Sequence, residues 1–144
     1  MAWYDQVDSL KKWRLGTRKL DVAGNEYVYL QGVASLVAED WVTYDDAFVT
    51  TRTVANVKGP VAIAMAAVDA TTEYGWFGIK GNFAGDVTTG ADAGKVWVTS
   101  TAGRVDNSDV AVDIIVGALQ TSATTSNSAT FTISYPFCHN EVLN

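Results

Sequence analysis

Cys138 and His139 are the one cysteine and the one histidine in a chain of 144 residues. They are the residue types of a thiol nucleophile and its base, but their adjacency works against that use. Neighbours in an extended segment project to opposite faces, whereas a nucleophile and its base must lie within hydrogen-bond reach. A single cysteine also excludes an internal disulfide, and with one histidine it leaves the usual zinc ligand sets out of reach. Carboxylates form local pairs at Glu39-Asp40, at Asp45-Asp46, and at Asp106 with Asp109. Two carboxyls about 5–9.5 Å apart across a cleft can hydrolyse a glycosidic bond. The oxygen-rich run Val105-Asp106-Asn107-Ser108-Asp109 lacks the spacing of an EF-hand loop. Turn chemistry, in which Asp and Asn bond their own backbone, is the favoured reading of this run. The phosphate-loop, nucleophile-elbow, zinc-protease and dinucleotide motifs are all absent. Gly75–Gly81 is glycine-rich but aromatic and inside a strand pattern, so it does not read as a phosphate cradle. No enzymatic activity, metal or cofactor is therefore expected.

Aromatic residues offer a different chemistry, that of binding. The five tryptophans are Trp3, Trp13, Trp41, Trp76 and Trp97. Exposed aromatic platforms bind sugars, which makes a carbohydrate-binding or receptor-adhesion module one function class to consider. Trp41, Trp76 and Trp97 lie within strand patterns and read first as core or interface. Trp3 and Trp13 lie in a basic head. Residues 1–20 carry +3 and the remaining chain −9, which together make the formal net charge of −6. Aromatics together with arginine are the residue types that anchor protein interfaces. Trp3, Tyr4, Lys11, Lys12, Trp13, Arg14 and Arg18 are accordingly the candidate partner-binding residues. Val7, Leu10 and Trp13 recur at helical spacing with Trp3, which predicts a short amphipathic helix over Tyr4–Trp13. Such an arm either packs on its own domain or reaches a neighbouring subunit. The acidic balance, with a pI near 4.5, argues against direct nucleic-acid binding.

These residues need a scaffold, and the body of the chain reads as strands. Glu26–Gly32, Asp40–Asp45 and Phe48–Val54 are rich in β-formers and bounded by turn residues, the last being Thr-rich like an edge strand. Val61–Ala67 places larger residues at 61, 63 and 65 with alanine between, a period of two in which one face fills a core and the other packs closely on something flat. Tyr74–Gly81 interleaves glycines with aromatics, a sign of bulges or close backbone approach. Phe83–Thr88, Lys95–Thr99 and a short strand at Arg104-Val105 follow, with turns at Gly90–Gly94 and Thr101–Arg104. The apolar run Val110–Leu119 ends near Gly117. A loop at Ser122–Ser128 precedes the alternating strand Ala129–Tyr135, which is expected to stop before Pro136.

Composition agrees. Val and Ala at 19 each, 16 Thr and 12 Gly argue against a helix bundle. The longest apolar run, Val61–Val68, is short of the ~20 residues of a spanning helix. The first residues contain Asp5 and Asp8 and no apolar stretch, so neither a secretory leader nor a membrane partner is expected. The expected fold is all-β, a single β-sandwich or barrel-like domain over residues 21–144, with a short N-terminal arm over residues 1–20.

The order of features resembles small head proteins of tailed bacteriophages, the capsid decoration or cement proteins. The residues that carry the likeness are Glu26–Val33, Asp40–Tyr44, Lys58–Ala66 and Tyr74–Ile79, then Gly94–Val98, Ala102–Val105 and Gly117. It covers roughly residues 24–137 and leaves the basic head unmatched. The resemblance implies a virion protein, made in the host cytoplasm and bound to the outer surface of an icosahedral shell. Its partners would be the major capsid protein and neighbouring copies of itself. Its work would be to reinforce the shell across subunit junctions, with no chemistry and no cofactor.

Overall fold

The computed structural model describes residues 2–88, 94–107 and 113–140. The fold is all-β and sandwich-like. Among the described residues, eleven strands join into one antiparallel sheet that does not close into a barrel. In chain order they are β1 (Val7–Asp8), β2 (Arg18–Leu20), β3 (Glu26–Gln31), β4 (Trp41–Tyr44), β5 (Thr50–Arg52) and β6 (Gly59–Ala64). There follow β7 (Tyr74–Asp86), β8 (Gly94–Val98), β9 (Val105–Asp106), β10 (Asp113–Gln120) and β11 (Ser128–Asn140). The main path runs β2-β3-β7-β6-β11-β10-β8-β9. β1 pairs with β7, and β4 bridges β5 and β6. Among the described strands the Thr-rich β5 pairs only with β4, which makes it an edge strand, as its composition predicts.

The strict period of two in the central strands sorts their side chains into two cores. Tyr27 and Tyr29 of β3, Trp41 of β4, Val61 and Ile63 of β6 and Trp76 of β7 enter one cluster. Their immediate neighbours Val28, Leu30, Val42, Ala62, Ala64 and Phe77 enter the other with Ile79, and Leu36 and Val68 close it from the connecting loops. The alanines of β6 are small because their face lies against packed chain, so this segment is buried on both sides.

Three expectations change. Phe83–Thr88 is not a separate strand, because β7 runs unbroken through 13 residues from Tyr74 to Asp86. Its glycines make this possible. A Cβ at Gly78 would lie 2.7 Å from the Phe83 ring, and one at Gly75 would lie 2.6 Å from Val68 Cγ2. The first half of β7 pairs with β1, β3 and β6, and its second half with β11. Second, β11 does not stop before Pro136 but continues to Asn140. Residues 134–136 oppose the single Gly117, between the pairs Ile133↔Ala118 and Phe137↔Val116. The bulge releases the ladder where proline has no N–H to give. Gly117 has φ +85 and Tyr135 has φ +47. Past the bulge β11 changes neighbour, from β7 at Ser134↔Lys80 to β6 at Phe137↔Pro60. Third, the helix expected over Tyr4–Trp13 does not form. A single 3-10 turn, η1 (Trp3–Asp5), leads into β1. Only the ends of the expected stripe, Trp3 and Trp13, meet the sheet, while Val7 is 39% and Leu10 79% exposed. A helix this short is marginal without a packed face.

The turn expected at Gly90–Gly94, apart from Gly94 itself, lies outside the described residues, as do Asp109 and the start of the apolar run at residues 110–112.

Candidate functional site

The N-terminal segment folds back onto the sheet and builds an aromatic cluster there. β1 pairs with the start of β7, at Val7↔Gly75 and Asp8↔Tyr74, and β2 pairs with β3. These pairings set Trp3 against three rings. Its indole lies 5.4 Å from Tyr4, 5.1 Å from Tyr27 and 5.1 Å from Trp76, each edge to face. Tyr4 stacks on Tyr27 at 4.8 Å. Trp13 meets Trp76 at 5.9 Å. Edge-to-face and offset pairs at these separations stabilise by about 0.5–1.5 kcal/mol each beyond area burial.

Between the indoles of Trp3, Trp13 and Trp76 lies an open cleft of about 290 Å³, lined also by Gln6, Asp8, Lys12 and Lys19. The Lys19 ammonium sits 4.6 Å from the centroid of Trp3 and 4.7 Å from that of Trp13, a cation clasped by two π faces. Asp8 is buried in the cleft wall. Its Oδ2 accepts the Tyr29 hydroxyl proton at 2.6 Å, and its Oδ1 faces the Lys12 ammonium at 3.1 Å.

Of the seven residues singled out in the sequence, Trp3, Lys12 and Trp13 meet at this cleft. Tyr4 is turned inward on Tyr27. Lys11 lies over the Tyr74 ring at 5.7 Å. Arg14 is exposed, and its carbonyl accepts the Thr17 hydroxyl at 2.6 Å. Arg18 stands elsewhere, 3.6 Å from Glu26 and over the Tyr135 ring at 5.6 Å. Sequence reasoning misses Lys19 and Trp76 as partners of the head. Lys19 is one basic residue among the five of the head, and Trp76 lies more than fifty residues further along, in a strand that reads as core. Trp41 and Trp76 are buried at 0% and 3% exposure, as their strand patterns predict, while Trp97 is only partly covered.

The other candidate chemistries separate in space. Cys138 is buried and His139 is turned to the other face of β11. Burial pushes the thiol up to about 12, with Asp113 adding to it, so it stays protonated at neutral pH. Asp45 makes a turn, its Oδ1 accepting from the Ala47 and Val49 amides at 3.0 Å each. Glu39 accepts the Ser128 hydroxyl, and Asp40 is engaged by Arg52. Among the described residues no three or more His, Cys, Asp or Glu converge on a point, and no helix is long and apolar enough to cross a membrane.

Burial, reinforced by the hydrogen bond to Asp8, holds the Tyr29 phenol above its ordinary value of 10.0; burial and Asp21 do the same to Tyr27. Above about pH 10 the unfolded chain gives up protons that the native state retains, so stability falls as pH rises through that range. Denaturation midpoints measured from about pH 8 to 11 should decline above pH 10, and more gently in Tyr29→Phe. Parallel declines in the two proteins would exclude Tyr29 as a linked group.

Comparison with protein-family models, with curated proteins and with solved structures finds no match for the chain.

Proposed function

We propose that the protein is a capsid decoration protein, binding the outside of a tailed-phage head through its N-terminal face. The observation that carries the reading is the way the head is held. Lys11, Lys12, Trp13 and Arg14 stand exposed on a segment pinned by Trp3 and β1 to an otherwise acidic β-domain. A basic, aromatic surface on a rigid scaffold suits docking on an acidic protein surface, with little ordering entropy to offset. The resemblance over residues 24–137 supports the same reading. Stabilisation of the shell would follow from linkage: a ligand that binds the assembled shell better than separated subunits makes the shell harder to open. Many symmetric copies would multiply a modest contact.

Removing residues 1–20 would take away β1, β2 and the Trp3 packing, so point substitutions make the better test. Lys11→Glu with Arg14→Glu reverses two exposed charges without touching the core. The expected result is co-sedimentation of the wild type with expanded heads that lack a decoration protein, and roughly tenfold or more weaker binding by the double variant. Wild-type protein that stays in the supernatant would sink the proposal, as would equal binding by the two.

A second reading, a carbohydrate-binding or receptor-adhesion module, is favoured by one observation. Three indoles meet at an open cleft that also presents an amide and two ammonium groups.

A further inference from the structure

We infer that the cleft between Trp3, Trp13 and Trp76 takes a pyranose that bears a carboxylate, and that Lys19 is the group that reads the acid. The inference rests on the carbohydrate reading of this cleft and gives its ligand a charge.

Lys12, Arg18, Arg52 and Arg104 each face a carboxylate within 4 Å, at Asp8, Glu26, Asp40 and Asp86. Lys19 has no such partner among the described residues; its ammonium is held by the faces of Trp3 and Trp13. Two indoles remove water from an ammonium without neutralising it. An anion arriving at the mouth of the cleft therefore meets a positive charge that is fixed in place, partly desolvated and uncompensated.

The carboxylate in the cleft wall does not cancel this charge. Both oxygens of Asp8 are occupied, Oδ2 by the Tyr29 hydroxyl and Oδ1 by Lys12. The surface offered to a ligand is consequently cationic. That disfavours alkylammonium ligands, which aromatic cages otherwise suit, because the chain's own amine already occupies the clasp between Trp3 and Trp13.

The rest of the cleft fits a sugar ring. Trp13 is 43% exposed, and the part of its indole that Lys19 leaves open is apolar surface on which the C–H face of a pyranose can stack. Gln6 lines the same cleft, with a side-chain amide able to donate to and accept from hydroxyls. The volume, about 290 Å³, lies at the lower end for ligand sites and suits a single sugar unit and its substituent.

The test titrates tryptophan fluorescence, with chemical-shift mapping in parallel. The probes are the methyl glycosides of glucuronate and galacturonate, N-acetylneuraminate, the neutral methyl glucoside and galactoside, and sodium acetate. At least one acidic sugar should bind roughly ten times or more tighter than its neutral counterpart and than acetate, and its affinity should fall with added salt. Lys19→Gln should reduce acidic-sugar affinity to the neutral level. Trp13→Ala should abolish binding of both, while thermal melting shows each variant folded. Equal binding of acidic and neutral sugars, unmoved by Lys19→Gln, would overturn the acid assignment and leave the carbohydrate reading standing. Binding of no saccharide would overturn both. Acetate binding as tightly as any acidic sugar would reduce the site to an adventitious ion only.

Discussion

Asp40→Ala should cost about 3 kcal/mol of folding stability, the lower end of the range for breaking a buried ion pair by removing one partner. The Asp40 side chain is fully buried, and its Oδ2 accepts from Arg52 Nε at 2.8 Å and from the Val37 amide at 3.0 Å. Arg52 also donates to the Ala102 carbonyl at 3.2 Å. Gly103 comes so close that a Cβ there would run into the Asp40 carboxylate, and its φ of +77 disfavours a side chain on its own account. Around this pair the backbone is laced together. The Trp41 amide donates to Gly103, that of Gly103 to Thr53, and that of Thr53 back to Trp41, at 3.0, 2.8 and 2.9 Å. Removing the carboxylate leaves a guanidinium facing a core it cannot leave cheaply. Arg52 is 25% exposed, so some of its charge can turn to water, and this places the effect at the lower end. Urea denaturation of the wild type, Asp40→Ala, Arg52→Met and the double variant measures it. The double variant should recover part of the loss, because the orphaned charge is gone. An Asp40→Ala variant within about 1 kcal/mol of wild type, the span of an exposed pair, would show that the pair holds nothing together.

The second large effect lies under the cleft. Trp76→Ala should destabilise by about 3–5 kcal/mol, the usual range for truncating a buried Trp to Ala. Trp76 is 3% exposed, and its ring meets Trp3, Trp13 and Tyr29 at 5.1, 5.9 and 5.1 Å. Its loss takes away the floor on which both head indoles rest, so near-UV circular dichroism should collapse together with stability. Trp13→Ala, at the exposed rim of the same cluster, should cost under about 1 kcal/mol. The contrast separates scaffold from binding surface. Equal losses for the two would mean that Trp13 is as much a part of the core as Trp76.

The head is where local pattern and tertiary fold disagree. Trp3, Val7, Leu10 and Trp13 have helical spacing, yet Trp3 alone of the four belongs to a core cluster, and as a partly buried member. Helical spacing predicts a helix only where a surface waits for the stripe, and here β7 offers an edge to pair with instead. At Pro136 the local rule that proline ends a strand holds for the hydrogen-bond ladder but not for the strand. Gly117 across the way absorbs the bulge.

The sequence by itself determines that the chain is β, where its main strands lie, and that Asp45 belongs to a turn. Those properties depend on near neighbours: alternation of side chains, β-branched content, Asp and Asn bonding their own backbone. What only the tertiary structure decides is company. Two cores share the same central strands because a sheet buried on both faces divides every alternating run between them. Trp3 and Trp13 meet Trp76 because β1 lies along β7. Lys19 rests between two indoles because β2 pairs with β3 beside them. Strand pairings join residues far apart in the chain, and the period within one strand carries no record of which neighbour it will take.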